Sequence, residues 1–274
     1  MNNTLQLEDL KNHAREIRKT VLSMIIEAHA SHIGSAYSIV ELLVYLYNKV
    51  LRIDPKKSHF ASRDRFILSK GWGVVALYAV LSRKGFFDKS LLNTYCKDGS
   101  NLIGSATKNG IPGIEATTGS MGHGLPIGVG MALASKLQNK DNRVFVLVSD
   151  GECDEGSTWE AILHAGHHKL DNLIVIVDYN KWQSFGRVKD ILDLEPFTKK
   201  WEAFKWSVKE IDGHDFVQIA SVLDNLPLEK GKPSVVIAHT VKGKGVSVLE
   251  DRNEWHYKTP TQAEIDIAWK ELAE

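Results

Sequence analysis

Residues 144–180 read VFVLVSDGECDEGSTWEAILHAGHHKLDNLIVIVDYN and contain two apolar runs separated by a helical pattern. The runs at 144–148 and 173–177 are built from Val, Ile, Leu and Phe, which is typical of strands buried on both faces of a sheet. Between them, apolar residues recur at helical spacing from about Ser157 to Lys169. A strand, a helix and a second strand in this order predict a parallel pair joined by a right-handed crossover.

Further strands are indicated on either side of this unit. Residues 65–69 and 234–238 are short apolar runs of the same kind. The chain shows no low-complexity linker, repeat or break in composition, so one domain spanning residues 1–274 is predicted. The expected fold is α/β: a doubly wound, mostly parallel sheet with helices on both faces.

Helical patterns occupy much of the rest of the chain. They cover the N-terminal segment, where Leu10, Ala14, Ile17, Val21 and Met24 are apolar, and residues 38–48, 72–82 and the stretch from Thr261. Ser38 and Glu41 have the spacing of a capping box. Residues 98–119 are rich in Gly, Ser, Thr and Asn and predict a long loop, a kind of segment that often carries function.

Composition narrows the classes of partner and compartment. Lys plus Arg and Asp plus Glu number 34 each, so no overall basic field favours nucleic acid or anionic lipid. No apolar stretch approaches the ~20 residues of a membrane-spanning helix, and the N-terminus lacks the apolar centre of a signal peptide. The two cysteines, Cys96 and Cys153, suit a reducing cytoplasm. A cytoplasmic protein without nucleic-acid or membrane partners is expected.

Two predicted strands end in residues suited to a metal and a phosphate. Asp150-Gly151 follows the first run of the opening segment, and Asn180 follows the second. Open parallel sheets bind ligands beyond the carboxyl ends of their strands, so Asp150 and Asn180 would face one crevice if the strands are neighbours. Their oxygens suit magnesium, and Gly151 would let the main chain approach a phosphate. Each motif alone is weak, because Asp-Gly turns and loop asparagines are common at strand ends.

Several ordered motifs resemble one enzyme family. The segment from Ser149-Asp150-Gly151 to Asn180 resembles the thiamine diphosphate fingerprint, in which a Gly-Asp-Gly triplet is followed at a similar distance by Asn. The stretches SRDRFILS at 62–69, PGIEATTGSMGHG at 112–124 and HHKLDNL at 167–173 resemble stretches of transketolases. The resemblance covers the chain from about Leu10 to Ala273. It implies the N-terminal, diphosphate-binding subunit of a split transketolase-like enzyme.

The resemblance also implies a set of site residues. Asp150 and Asn180 would bind Mg²⁺, or Ca²⁺ or Mn²⁺ in its place, through their side chains, and Trp182 through its main-chain carbonyl. His32 and His256 would lie near the reacting groups, and Glu155 would connect two active sites across a subunit interface. The implied contacts to thiamine diphosphate are Trp72, Gly119, Ser120, Met121, Gly151, Glu152, Asn180 and His256.

The implied activity is transfer of a two-carbon ketol unit from a ketose or ketose phosphate donor to an aldose acceptor. The cofactor would supply the carbon–carbon chemistry, and His32 and His256 would move protons or hydrogen-bond a developing alkoxide. In the family, the carboxylate that activates the cofactor lies on a second, pyrimidine-binding domain. That domain is expected on a separate chain, in an assembly of two copies of each chain.

Two positions depart from the family pattern. Trp72 stands where the family has a histidine that helps to hold diphosphate, and Ser105 stands where a second active-site histidine contacts the donor. These changes predict an altered donor or acceptor, or else only local repacking. A related carboligase, in a specialised sugar pathway or a 1-deoxyxylulose-phosphate-like reaction, is therefore one alternative. A non-catalytic regulatory subunit is another, although intact Asp150, Asn180 and Glu155 argue against it.

Three other motifs are of lower interest. The histidines at 164, 167 and 168 are spaced like metal ligands on a helix but are expected to be structural. The sequence KGKG at 242–245 suits either a phosphate contact or a flexible turn. The glycines between 122 and 130 mimic a dinucleotide-binding loop, but they do not follow a predicted strand, which argues against a nicotinamide site.

Overall fold

Five parallel strands form the single sheet found in the computed structural model, which describes residues 3–273 and the side chains of residues 6–273. The one-domain prediction also includes Met1, Asn2 and Glu274, which lie outside the described residues. The strands are β1 (Arg65–Leu68), β2 (Val144–Ser149), β3 (Leu173–Tyr179), β4 (Ser207–Asp212) and β5 (Ser234–His239). Their order across the sheet is β1-β2-β3-β5-β4, and every neighbouring pair is parallel.

Ten α-helices surround the sheet in the described part of the chain. They are α1 (Asn3–Ala28), α2 (Ile33–Tyr37), α3 (Val40–Tyr45), α4 (Val74–Arg83), α5 (Gly124–Leu137), α6 (Gly156–His167), α7 (Val188–Ile191), α8 (Phe197–Ala203), α9 (Phe216–Leu223) and α10 (Gln262–Ala273). None of the described helices is both long enough and apolar enough to cross a bilayer.

Alternate residues of the central strands feed two separate cores. Phe145 and Leu147 of β2 join the core that contains α1, α3, α4, α9 and α10, whereas Val146 and Val148 join the core that contains α5, α6 and α8. Right-handed crossovers explain this division, because connections that run in opposite directions along a sheet lie on opposite faces. The connection from β4 back to β5 is the reversed one, and its helix α9 lies opposite α5, α6 and α8. The doubly wound α/β prediction is confirmed.

The long loop crosses the carboxyl edge of the sheet between these two faces. It follows α4 in one core and precedes α5 in the other, and residues 98–119 contain neither helix nor strand, as predicted. The Ala106 amide bonds to the Gly71 carbonyl at 3.1 Å, and the Thr118 hydroxyl bonds to the Leu68 carbonyl at 2.5 Å. These bonds fix the loop over the end of β1, where ligands of such sheets bind.

Local sequence patterns predicted most elements but missed three. β4 carries the polar residues Lys209 and Glu210 and lies at the edge of the sheet, where one side of the backbone stays unpaired and apolar residues are not required. α9 follows it directly. α5 was missed because its glycines and Pro126 have low helix propensity, although proline is tolerated in the first turn of a helix.

The predicted capping box at Ser38 and Glu41 is wrong. Helix α3 begins at Val40 after Ile39, without a side-chain cap. The Ser38 hydroxyl instead donates to Asp178 at 2.8 Å, and the Glu41 carboxylate pairs with Arg18 at 2.7 Å. Both side chains are buried, so they satisfy distant groups in place of the local helix end.

The glycines of α5 provide a test of how closely this helix approaches the sheet. A Cβ atom at Gly128 would overlap a methyl group of Val146 in β2, whereas a Cβ atom at Gly130 would have no neighbour within 4 Å. Gly128→Ala is therefore expected to lower the free energy of unfolding by about 1–3 kcal/mol through overpacking. Gly130→Ala is expected to raise it by about 0.5–1 kcal/mol, because alanine favours the helix. Urea unfolding of both variants measures the difference, and equal effects would contradict this close packing.

Candidate functional site

A cavity of about 340 Å³ opens at the carboxyl ends of β1, β2 and β3. Its lining combines residues from segments that are far apart in the chain. The lining residues are His32, Ser35, Lys70, Trp72, Gly119, Met121, Ser149, Gly151, Asn180, Trp182, Gln183, Ser184, Phe185, His256 and Tyr257. Eight of these were predicted from sequence as site residues. The fold therefore brings most of the predicted site together.

Asp150 lies at the floor of this region, directly after β2, and is completely buried. Its carboxylate accepts hydrogen bonds from two main-chain amides, those of Gly151 at 2.9 Å and Lys181 at 2.6 Å. Burial, together with the nearby Asp178 carboxylate, raises the pKa of Asp150 to about 7. A buried carboxylate held by main-chain amides alone is a group that a bound cation would stabilise in its charged form.

Asn180 is oriented by the residues around it. Its amide nitrogen donates to Asp178 at 2.9 Å, and its amide oxygen accepts the main-chain N–H of Trp182 at 3.0 Å. The register of β2 against β3 pairs Ser149 with Asp178, so Asp150 and Asn180 follow neighbouring strands as expected. The two side chains thus reach one end of the sheet from adjacent strands.

An ion pair between Lys70 and Asp178 lies behind Asn180, and the sequence prediction did not include either residue. Both side chains are fully buried. The Lys70 ammonium also donates to the Ser35 carbonyl at 3.0 Å, and Asp178 also accepts hydrogen bonds from Ser38 and Thr240. Burial alone would raise the pKa of Asp178, but the lysine charge and these bonds hold it below its usual value. The available signal was an ionisable residue at each strand end, Lys70 after β1 and Asp178 within β3.

His32 and His256 meet on one side of the cavity, as predicted. Their rings are 5.0 Å apart between centroids, and the His32 amide donates to the His256 carbonyl at 3.2 Å. His32 has a left-handed backbone conformation with φ of 69°, which is uncommon for a residue other than glycine and typical of functional sites. Burial, together with the charges of Lys242 and Lys70, lowers the pKa of His32 to about 4 and that of His256 to about 3. Both rings are therefore neutral at neutral pH.

Lys242, whose role the sequence left open, is a buried neighbour of these histidines. Its ammonium lies 3.1 Å from Nδ1 of His256, and only 1% of the residue is exposed. Burial and the Lys70 charge lower the pKa of Lys242 to about 8. Lys242 is thus part of the site and is not in a flexible turn.

The predicted loop residues divide between the cavity and the surface. Gly119 and Met121 line the cavity, whereas Ser120 is exposed outside it. Gly119 has φ of 119°, and a Cβ atom there would collide with the Ser105 hydroxyl. Ser105 donates to the Thr118 carbonyl at 2.8 Å, so it supports the main chain of this loop.

Glu152 and Glu155 do not line the cavity, although both were predicted as site residues. Glu152 is buried against Ser69, whose hydroxyl donates to it at 2.5 Å, and against the Ser149 amide at 3.0 Å. Its carboxylate thus joins the ends of β1 and β2, which explains its position next to Asp150 without a direct contact to a ligand. Glu155 is partly exposed at the start of α6 and packs beside Gly122.

Aromatic side chains surround the mouth of the cavity. Trp72 and Trp182 line it, and the Arg187 guanidinium stacks on the Trp182 ring at 3.8 Å. Phe185 is 87% exposed and Tyr257 is 66% exposed. Such large exposed rings at a cavity rim are typical of a surface that a ligand or another chain covers.

The other motifs do not form sites in the described residues. The three histidine rings at 164, 167 and 168 lie near one another, but within residues 6–273 no group of three His, Cys, Asp or Glu side chains is arranged to hold a metal. The glycines between 122 and 130 mostly belong to helix α5 and the turn before it, which does not follow a strand.

Comparisons with known proteins agree on one family. The profile described as "Transketolase, thiamine diphosphate binding domain" matches residues 10–273. One of the two subunits of an apulose-4-phosphate transketolase from Actinobacillus succinogenes is 43% identical over 269 residues, which cover 98% of this chain and 97% of that protein. A 6-deoxy-6-sulfo-D-fructose transketolase subunit from Clostridium sp. is 41% identical over 264 residues, with 96% of both chains covered.

Solved structures give the same result at the level of the fold. The transketolase of Campylobacter jejuni superimposes with a TM-score of 0.91 at 29% identity, and the alignment covers all of this chain but 43% of that protein. The profile match extends over nearly the whole chain and includes every residue of the cavity. This chain therefore belongs to the transketolase family and corresponds to its thiamine diphosphate binding domain.

Proposed function

We propose that this chain is the thiamine diphosphate- and Mg²⁺-binding subunit of a two-chain transketolase, which transfers a two-carbon ketol unit between sugars. The observation that carries the proposal is the convergence of Asp150, Asn180, His32 and His256 around one cavity at the carboxyl edge of the sheet. Membership of the transketolase family supports the reaction type.

The residues of the cavity suit a magnesium diphosphate. Asp150 offers a buried carboxylate with a raised pKa, Asn180 offers an amide oxygen, and Trp182 would add its main-chain carbonyl. Gly151 lines the cavity where the main chain can approach a phosphate. Lys242 supplies a buried positive charge close by. These residues would hold the metal and the diphosphate of the cofactor, with Gly119 and Met121 on the side of its aminopyrimidine ring.

Bound thiamine diphosphate supplies the ability to stabilise the carbanion formed when a carbon–carbon bond breaks. The protein contributes binding, orientation and proton transfer. His32 and His256 are neutral near pH 7, so each ring can donate from one nitrogen and accept at the other. They are suited to hydrogen-bond a substrate hydroxyl or carbonyl and to move a proton to or from it.

A partner chain is proposed to complete the site. Two relatives that match this chain over nearly their whole length are described as transketolase subunits. The partner would carry the pyrimidine-binding domain, and two copies of each chain would form the assembly. Exposed Met121, Phe185 and Tyr257 at the cavity mouth, and Glu155 at the start of α6, lie where that chain would pack.

The substrate is proposed to be an unusual sugar or sugar phosphate. The two relatives are described as acting on apulose-4-phosphate and on 6-deoxy-6-sulfo-D-fructose. Trp72 presents a large indole to the cavity in place of an imidazole, which reduces the polarity of that wall. A less polar wall weakens discrimination for a substrate hydroxyl.

Trp72→His is expected to raise kcat/KM for an ordinary, fully hydroxylated ketose phosphate donor by about 10-fold, because imidazole restores a hydrogen-bonding group. The assay measures ketol transfer by the assembled enzyme with each donor. Trp269→His, which changes an exposed tryptophan on α10, is the matched control and should leave donor preference unchanged. An unaltered preference in Trp72→His would show that the tryptophan affects only local packing.

The function as a whole is tested on the assembly isolated with the tagged chain from its native host. Thiamine diphosphate binding is measured with and without Mg²⁺, followed by ketol transfer from a panel of ketose, deoxyketose and sulfoketose donors. Cofactor-dependent transfer that requires a second chain supports the proposal. Cofactor binding without turnover on any donor would indicate a regulatory subunit, and failure to bind the cofactor with Mg²⁺ present would overturn the site assignment.

A further inference from the structure

A buried charged network lies between helices α1 and α3 and the residues before α9, on the side of the 241–245 loop away from the cavity. Arg18 donates to both oxygens of Glu41, at 2.7 and 2.8 Å. His214 contacts Glu41 through Nδ1 at 3.0 Å. Burial alone would raise the pKa of Glu41, but the Arg18 charge and the His214 bond lower it to about 2. The carboxylate therefore stays charged and bound to both partners at every physiological pH.

Both ends of the 241–245 loop are attached to this network. The Val241 amide donates to Nε2 of His214 at 2.9 Å, and the Lys244 carbonyl accepts from Nε of Arg18 at 2.7 Å. Gly245 lies directly against the guanidinium, with φ of 95°. Because Nε2 of His214 accepts a hydrogen bond, its proton lies on Nδ1 and is donated to Glu41. Each member of the network thus has one fixed role in holding the loop.

Lys242, in the centre of this loop, controls one nitrogen of His256. Its aliphatic chain packs on Gly34, and its ammonium lies 3.1 Å from Nδ1 of His256. An ammonium can only donate, so Nδ1 of the neutral ring must accept and the ring proton must lie on Nε2. Nε2 has no hydrogen-bond partner among the described residues, and the ring lines the cavity.

We propose that the Arg18–Glu41–His214 network is a positioning element that holds the 241–245 loop so that Lys242 fixes His256 in the tautomer with its Nε2–H facing the cavity. The functional meaning of this tautomer rests on the proposed function, since it makes His256 a hydrogen-bond donor to the substrate or cofactor. Neighbouring groups that fix the tautomer of a functional histidine are a general device in enzyme sites.

The charged groups around His256 are consistent with this assignment. Lys242 contacts the ring from the loop, His32 faces it from the segment before α2, and Lys70 acts from the end of β1. Tyr257 packs against the ring edge at 4.6 Å between centroids. The lysines are cations and His32 is neutral, so these groups disfavour a second proton on His256.

The test uses nuclear magnetic resonance of the imidazole nitrogens in the full chain without cofactor, with the His256 signal identified by its loss in His256→Asn. In the wild type, His256 is expected to stay neutral with its proton on Nε2 from pH 5 to pH 8, values chosen to span the usual titration of histidine near about 6.5. His214→Leu removes both attachments of His214. It is expected to give a mixture of tautomers and to raise the pKa of His256 by about one unit or more toward its usual value.

Two variants separate positioning from general stability. His214→Gln can still accept from Val241 and donate to Glu41, so it should restore the wild-type His256 signal. Val222→Ala removes buried volume from α9 without touching the loop and should lower stability but leave His256 unchanged. If His214→Leu does not fold, Lys242→Met tests the same tautomer directly and should release it.

Retention of a single Nε2–H tautomer in folded His214→Leu or in Lys242→Met would overturn the positioning role, as would an Nδ1–H tautomer in the wild type. Because these spectra need neither cofactor nor partner, their outcome is independent of the transfer assay. Loss of the proposed activity with intact tautomer control would therefore refute the function alone.

Discussion

Asp150→Asn is expected to abolish magnesium-dependent binding of thiamine diphosphate while leaving the chain folded. The substitution preserves the shape of a buried side chain that two main-chain amides hold, but it removes the negative charge that a divalent cation requires. Loss of a direct ligand should weaken binding by about 100-fold or more, because changes in the groups that only support the ligands cost about 10–100-fold. Calorimetric titration of the cofactor with and without Mg²⁺ measures the effect.

The same substitution should stabilise the chain in the absence of cofactor. The pKa of Asp150 is raised from 3.8 to about 7 by burial and by Asp178, so the charged form opposes folding above the unfolded pKa. A neutral amide removes that cost at pH 8, and the thermal midpoint should rise slightly. Asp190→Asn, at an exposed position on α7, is the control for both measurements. Full cofactor affinity in Asp150→Asn would refute the metal assignment.

Lys70→Met is expected to lower the free energy of unfolding by about 3–5 kcal/mol, because it leaves the Asp178 carboxylate buried without its cation. Ser38 and Asn180 would still donate to Asp178, but hydrogen bonds do not replace a full charge. In the wild type, the pKa of Asp178 is held below 3.8, so its contribution is present above that value and is lost as the pH falls through the folded pKa. Urea unfolding of Lys70→Met should therefore show the largest deficit near pH 7 and a smaller one toward pH 4, close to the usual pKa of about 3.9.

An exposed ion pair and a double variant serve as comparisons. Arg187→Met breaks a pair with Asp251 whose side chains are 32% and 54% exposed, and it should cost less than about 1 kcal/mol. The combination of Lys70→Met with Asp178→Asn should recover part of the loss, because it also removes the unpaired charge. A Lys70→Met deficit as small as that of Arg187→Met would show that the buried pair does not stabilise the fold.

The amino-acid sequence determined the class of fold and the ends of the strands that form the site. Continuous apolar runs at 144–148, 173–177 and 234–238 can only be satisfied by burial on both faces, so their pattern alone predicted the parallel sheet. Asp150 and Asn180 follow two of these runs directly, and local spacing was enough to place them together. The ordered motifs supplied the family resemblance, which the comparisons confirm.

Tertiary structure alone decided which charged residues surround the site. Lys70, Asp178 and Lys242 are each buried through contacts between segments remote in the chain, and no local period records such a contact. The same reason explains why Glu41 pairs with Arg18 and His214 and does not cap a helix. Periodicity reports which face of an element is apolar, whereas the partner of a buried charge depends on where distant elements meet.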